Sequence, residues 1–293
     1  MSSNATPLPY PCYEPIFRSF PINTRIHFAR SIAGFRTAER NIPQEFEEII
    51  AENGCFLKMR WATGYVSVSL FPGNGTTRVQ EAQGKRKPHK EYPKLLFNNN
   101  FALPVDVVKE KVFDYYLKRP NIVTKILRVS GPESEYVLRY PITVTEALDC
   151  VHMPDYEKTF EFRAPTVRYN AYFKVELIQH ILEKFESEKK AIGTEVELSM
   201  ENETMNGMLT RLTQLLKVKM AVLRENPTTR CVLYPMEHAE IVIWTLPADQ
   251  QPNYWPGLPG PPDGQNRMIF LKTKVMELNG DPYKERSQIA LWN

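Results

Sequence analysis

An α/β fold follows from three features of this 293-residue sequence. The first is a near-constant step between four strand-like core pairs: Leu127/Val129, Phe160/Phe162, Val196/Leu198 and Val232/Tyr234. Their first members lie 33, 36 and 36 residues apart. A strand plus a helix per step is the mark of units that bury their faces on their neighbours. The second is helical periodicity between those pairs, which makes successive strands parallel, because parallel neighbours need a crossover. The third is a pair of alternating runs around Gly64, a β-hairpin ahead of the repeat.

In chain order, residues 1–45 read as a short helical module and 46–293 as the α/β domain. Within the latter, 46–72 holds the hairpin, with "CFLKMRW" and "YVSVSLF" as its strands. Residues 73–102 are polar and rich in Gly, Lys and Arg without a period, so a long mobile loop is expected there. The repeats occupy 103–246. "VDVVKEKVFDYYL" is amphipathic through Val105, Val108, Val112 and Tyr116; "TKILRVS" is a strand, "TVTEALDCV" a short helix and "EKTFEFRA" a strand. The helix in "AYFKVELIQHILEKFESEKK" buries Val175, Ile178, Leu182 and Phe185, and "GTEVELSM" follows as a strand. "MNGMLTRLTQLLKVKMAVL" is the longest expected helix, with Met205, Leu209, Leu212, Leu216 and Leu223 in one seam, and "RCVLYP" closes the series. The layout is leucine-rich-repeat-like and degenerate, with an open α/β sheet as the alternative. Residues 247–266 form a loop dense in Pro and Gly, and 267–278 a final strand that can pair with "EIVIWTL".

Composition narrows the function. A net charge of +3, with both signs mixed along the chain, points away from nucleic acid, whose ligands concentrate cations in a patch. The run "KRKPHK" reads as part of a solvated loop. Four separated cysteines, at 12, 55, 150 and 231, suggest neither a disulfide framework nor a zinc site and fit a cytoplasmic or nuclear setting. The N-terminus lacks the basic and apolar regions of a signal peptide, and no run approaches the roughly 18 apolar residues of a membrane span. No phosphate-binding, dinucleotide, nucleophile-elbow or zincin motif occurs. Asp149, Cys150 and His152 are neighbours in sequence, but catalytic partners are normally neighbours in space, so neither an enzyme nor a cofactor is expected.

The opening segment "LPYPCYEPIFRSFPINTRIHFARSIAGFRTAERNIP" is apolar, yet too broken by proline for one long helix. Tyr13, Ile16, Phe17 and Phe20 fall on one face of a short helix ending before Pro21. Asn23 can cap a second helix carrying Phe28, Ile32 and Phe35, and Thr37 to Asn41 makes at most one more turn. Small helices with more apolar residues than they can hide among themselves need a partner.

This segment resembles the opening of the large nematode set of F-box proteins that carry an F-box-associated domain, in which an "LPY…N.R…S…R..E..IP" pattern precedes a hairpin and an α/β region. The closing "RMIFLKTKVME" is similar to the strand that ends many of those chains. Pro15 and the lack of a Trp at the end of the module depart from the pattern. The resemblance implies a substrate-recognition adaptor of a Skp–cullin–F-box ubiquitin ligase, acting by proximity rather than chemistry.

On that reading Leu8, Pro9, Ile16, Phe17, Phe20, Pro21 and Phe28 anchor the Skp-type adaptor. An unidentified target protein would meet the strand positions alternating with the core pairs: Arg128, Ser130, Glu161, Arg163, Glu195 and Glu197, expected on one exposed face. The competing reading is an α/β interaction protein whose N-terminal helices only cap the fold. The two differ in where the apolar face of residues 8–35 goes: to solvent, or onto residues 100–150.

Overall fold

The computed structural model describes residues 15, 20, 22–87, 90–119, 121–151, 164–170, 175–200, 205–218, 220–222, 230–237, 239–246 and 269–277. It is a mixed α/β protein, and its chain divides into two compact units. The first contains the described residues up to Leu148 and the second nearly all of those from Asp149 onward.

The first unit opens with two helices, α1 (Ile22–Ser31) and α2 (Ala33–Asn41), separated by Ile32 alone. Ile32 is extended, at φ −129° and ψ 110°. Just before it the Ser31 hydroxyl donates to the carbonyl of His27 (3.0 Å), a back-bond that competes with helix continuation. The helix expected from Asn23 through Phe35 is thus broken at Ile32, and Asn23 is the second residue of α1. Pro43 ends α2, holding Ile42 extended at φ −79° and ψ 127°.

Strand β1 (Gln44–Glu52) follows at once. It pairs antiparallel with β2 (Phe56–Trp61) through the turn Asn53-Gly54, both residues at positive φ, and parallel with β6 (Ile122–Ser130). The hairpin around Gly64 is present: β2 pairs with β3 (Gly64–Pro72) through the two residues between Trp61 and Gly64.

Residues 73–102 are not a loop. They form an antiparallel pair, β4 (Thr77–Lys87) and β5 (Lys90–Phe101). Alternation explains the pairing, since Thr77, Val79 and Glu81 are all buried on one face of β4. Gly84 lies directly opposite Tyr65 on β3, whose ring occupies the space a side chain would need. Helix α3 (Val105–Leu117) then buries Val108, Phe113, Tyr116 and Leu117.

A 3-10 segment, η1 (Pro132–Arg139), leads into β7 (Ile142–Val151). "TVTEALDCV" is thus strand, not helix. The β-branched run Ile142 to Thr145 alternates buried and exposed, and Ala147 to Val151 are all buried. The strand order in this unit is β7-β6-β1-β2-β3-β4-β5.

The second unit has the order β10-β11-β12-β13-β9-β8, formed by β8 (Thr166–Asn170), β9 (Glu195–Met200), β10 (Met220–Val222), β11 (Arg230–Pro235), β12 (Ala239–Leu246) and β13 (Ile269–Glu277). Helix α4 (Val175–Ser187) connects the parallel pair β8 and β9 and buries Ile178, Ile181, Leu182 and Phe185. "EIVIWTL" does pair with the final strand, as β12 with β13.

Helix α5 (Met205–Leu216) stops short of its expected end. Lys217 adopts φ 53° and the Val218 amide reaches back to the Thr213 carbonyl (3.2 Å), a Schellman closure. Lys189 and Lys190 end α4 the same way. The core pairs on β6 and β9 are buried, as is Val232, but their strands are not successive parallel neighbours. β11 is antiparallel to both β10 and β12, and β13 enters antiparallel beside β9. Phe160, Phe162 and the Pro/Gly-rich stretch 247–266 lie outside the described residues.

Candidate functional site

Helices α1 and α2 have two faces with different fates. The inner one carries Arg25, Ile26, Ala29, Ala38, Glu39 and Ile42, all nearly inaccessible. Its centre is an ion pair, Arg119 Nη1 to Glu39 Oε2 at 2.5 Å, with both side chains 1% exposed. Gln44 Nε2 donates to the other carboxylate oxygen at 2.8 Å. Burial holds the Arg25 guanidinium below its usual range, the Glu39 charge opposes that, and Arg119 adds to it. A carboxylate between two buried guanidinium groups ties α2 to the end of α3 and the start of β1.

The outer face is aromatic. Phe20 stacks on Phe28 with ring centroids 5.6 Å apart, and Phe28 meets Phe35 edge-on at 6.3 Å. Ile32, in the break between the helices, is 43% exposed beside this row. Of the expected adaptor anchors, Phe20 and Phe28 thus share one half-buried row. Leu8, Pro9, Ile16, Phe17 and Pro21 lie outside the described residues.

Among the described residues, none of the expected target-binding positions is fully exposed: Arg128, Ser130 and Glu195 are half-buried and Glu197 is buried. Arg128 is paired with Glu48 (3.2 Å), and Glu48 also takes Arg60, its direct partner across β1 and β2. Three strands are cross-linked by this charge row, so Arg128 serves the sheet. Ser130 contributes its carbonyl to the junction that holds the Asn53-Gly54 turn, accepting from the Asn53 amide (2.7 Å) and the Ser134 hydroxyl (2.6 Å).

Glu197 is buried, 6% exposed, and pairs with Arg168 Nε at 3.1 Å; the same guanidinium reaches Asp149 at 3.3 Å. Glu195 is half-buried. Alternation identifies which residues share a face, but an opposite charge on the next strand can turn that face inward. Glu161, Arg163 and His152 lie outside the described residues. The Cys150 thiol is fully buried and pushed well up by burial and by Asp149, the reverse of what a thiolate nucleophile needs. Among the described residues, no cluster of three or more His, Cys, Asp or Glu could hold a metal ion.

A feature that sequence reasoning missed lies in the first unit. A groove of about 640 Å³ runs between α2, α3 and the faces of β3, β4 and β5. Val68, Val79 and Val108 form its buried floor, and Phe97 and Phe101, stacked at 6.3 Å, one wall. Arg36, Arg40 and Lys111 stand exposed along it. Among the described residues its one carboxylate, Glu81, is buried and accepts a 2.6 Å hydrogen bond from the Tyr116 hydroxyl. The Val108/Val112/Tyr116 stripe of the expected amphipathic helix was a signal for it, since these residues face the groove.

No protein-family model matches the chain, and neither a curated protein nor a solved structure is significantly similar to it.

Proposed function

We propose that this protein is a substrate-recognition adaptor of a Skp–cullin–F-box type ubiquitin ligase. In this reading α1 and α2 are the later helices of a short F-box-like module within residues 1–45. The supporting observation is the outer aromatic row Phe20, Phe28 and Phe35 with Ile32 exposed beside it. It is a half-buried apolar row beside the buried inner face of the same helices, and aromatic anchors carry most of the energy of an interface. The Skp-type adaptor docks there, and a target protein is held elsewhere on the α/β units. The protein does no bond chemistry itself and works in the cytoplasm or nucleus. No described helix is long and apolar enough to cross a membrane.

A second reading is favoured by the Glu39–Arg119 seal: the helices cap the first unit and bind nothing. The experiment that separates the two is a pull-down of the purified full chain with the Skp-type adaptor of the same organism. Wild type is compared with Ile32→Glu and with the triple variant Leu8→Ala/Pro9→Ala/Phe17→Ala. The adaptor reading expects retention of wild type and a loss of about 30-fold in Ile32→Glu, a hot-spot effect of about 2 kcal/mol, at an unchanged unfolding midpoint. Failure of folded wild type to bind sinks the ligase reading and leaves the cap.

A further inference from the structure

We propose that the groove between α2, α3 and the β3–β5 face is a binding site for a small amphipathic monoanion, a compound with an unbranched or aromatic apolar body and one terminal carboxylate. The inference is independent of the adaptor reading.

Size is the first argument. About 640 Å³ falls within the roughly 300–1,000 Å³ of ligand pockets, and is far more than the packing defects of a folded core. Lining is the second. Val68, Val79 and Val108 are at most 5% exposed and present only hydrocarbon, while Phe97 and Phe101 offer a stacked aromatic wall. Such a surface rewards an apolar body.

Charge is the third argument, and it selects the head group. Among the described residues, the charged ones lining the groove are Arg36 and Arg40 from α2, Lys111 from α3 and Glu81 from β4. Glu81 is 3% exposed and held by the Tyr116 hydroxyl, so its charge sits on the floor, whereas the three cations are exposed. Arg36 is fixed in place by donating from Nε to the Ala29 carbonyl at 3.0 Å, and the Arg40 guanidinium stands 6.0 Å from the Tyr115 ring. A low-dielectric cleft with cations along its opening focuses positive potential at the entrance. An anion whose tail fills the floor leaves its head group among them, and a cation does not fit this field.

Dodecanoate, below its micelle-forming concentration, is the probe, titrated calorimetrically into the full chain alongside dodecanol and dodecyltrimethylammonium. The expected result is saturable one-to-one binding of dodecanoate, at least tenfold tighter than either competitor. Val108→Trp fills the floor and abolishes that binding. Because Val108→Trp can also disturb folding, the double variant Arg40→Glu/Lys111→Glu, altered only at exposed positions, provides the independent arm: dodecanoate weakens at least tenfold and dodecyltrimethylammonium gains. Equal binding of dodecanol and dodecanoate, no saturable binding, or a charge-reversed variant that binds dodecanoate unchanged would each overturn the proposal. So would tighter binding of an apolar peptide with a free C-terminal carboxylate, which would assign the groove to a protein tail.

Discussion

Two buried charge clusters, one in each unit, solve the same electrostatic problem differently. In the first unit Glu39 and Arg119 are sealed, 1% exposed each, and belong to residues 80 apart in sequence. In the second, Arg168 keeps 26% of its side chain exposed while bridging Asp149 and Glu197, the latter its direct register partner across β8 and β9. Backbone pairing already holds the second cluster together. The first joins two helices that share no ladder of their own, just ahead of the Gln44–Ile122 pairing of β1 with β6, so the charge pair adds to that pairing in setting how α2 meets α3. A sealed pair is costly to desolvate and costlier to break. Its stability value is therefore modest while its positional value is large.

The largest expected effect follows from that difference. Glu39→Ala leaves Arg119, and Arg25 beside it, buried without a counter-charge, and should lower unfolding stability by about 3–5 kcal/mol in denaturant titration. Replacing both partners, as Glu39→Met/Arg119→Met, should recover only part of that loss, because Arg25 stays buried without the Glu39 charge. A loss below about 1 kcal/mol in the single variant would mean the cluster is wet and the contrast between the units empty.

Arg168→Ala is the matching change in the second unit. It leaves two nearly inaccessible carboxylates facing each other, but solvent reaches the site once the arginine is gone, so about 1.5–3 kcal/mol is expected. If it costs more than Glu39→Ala, exposure is the wrong variable for ranking the clusters.

Gly54→Ala tests geometry without charge. The backbone is at φ +63° and a methyl group there would meet Glu133 Cβ at 2.7 Å, so a loss of about 1–3 kcal/mol is expected.

The smallest effect is at the surface. Asp114 is held below the usual carboxylate range first by the hydrogen bond from Tyr140 (2.8 Å) and then by that from Lys118. Because its folded value is depressed, the linked stability is present above the unfolded value and lost as pH falls through the folded one. Tyr140→Phe should raise the Asp114 titration midpoint, read by NMR, and flatten that acid limb. An unmoved midpoint would assign the depression to Lys118.

Much of the fold was legible where apolar residues alone mark the period. Ile178, Leu182 and Phe185 on α4, the β2–β3 hairpin, and β12 with β13 fall in this class. Strands whose inward positions carry charge were hidden. Glu48 on β1 is offset by Arg60 and Arg128, and Glu81 on β4 by Tyr116, partners that no local window contains. A local signal for β1 did exist in Asn53-Gly54, the dipeptide that suits a tight hairpin turn.

At the candidate sites, the row of Phe20 and Phe28 was readable from helical spacing. The groove was not, since its walls come from five elements spread between Arg36 and Tyr116. Arg128 is half-buried and Glu197 buried where an exposed face was expected, because alternation carries no information about what stands opposite.

The parallel pairing of β1 with β6 also has a consequence for synthesis. β2 can fold back on β1 as soon as it emerges, and β3 to β5 can add outward in turn, but β6 begins only at Ile122. The roughly 70 residues after Glu52 occupy the ribosome for about 4–14 s at about 5–20 residues per second. Throughout that interval the far edge of β1 lacks its partner, a template for any other nascent strand. Glu45, Glu47, Glu48 and Glu52 are spread along β1, and the carboxylates that disguise β1 as a non-strand are also the kind of charge that disfavours edge-to-edge mispairing.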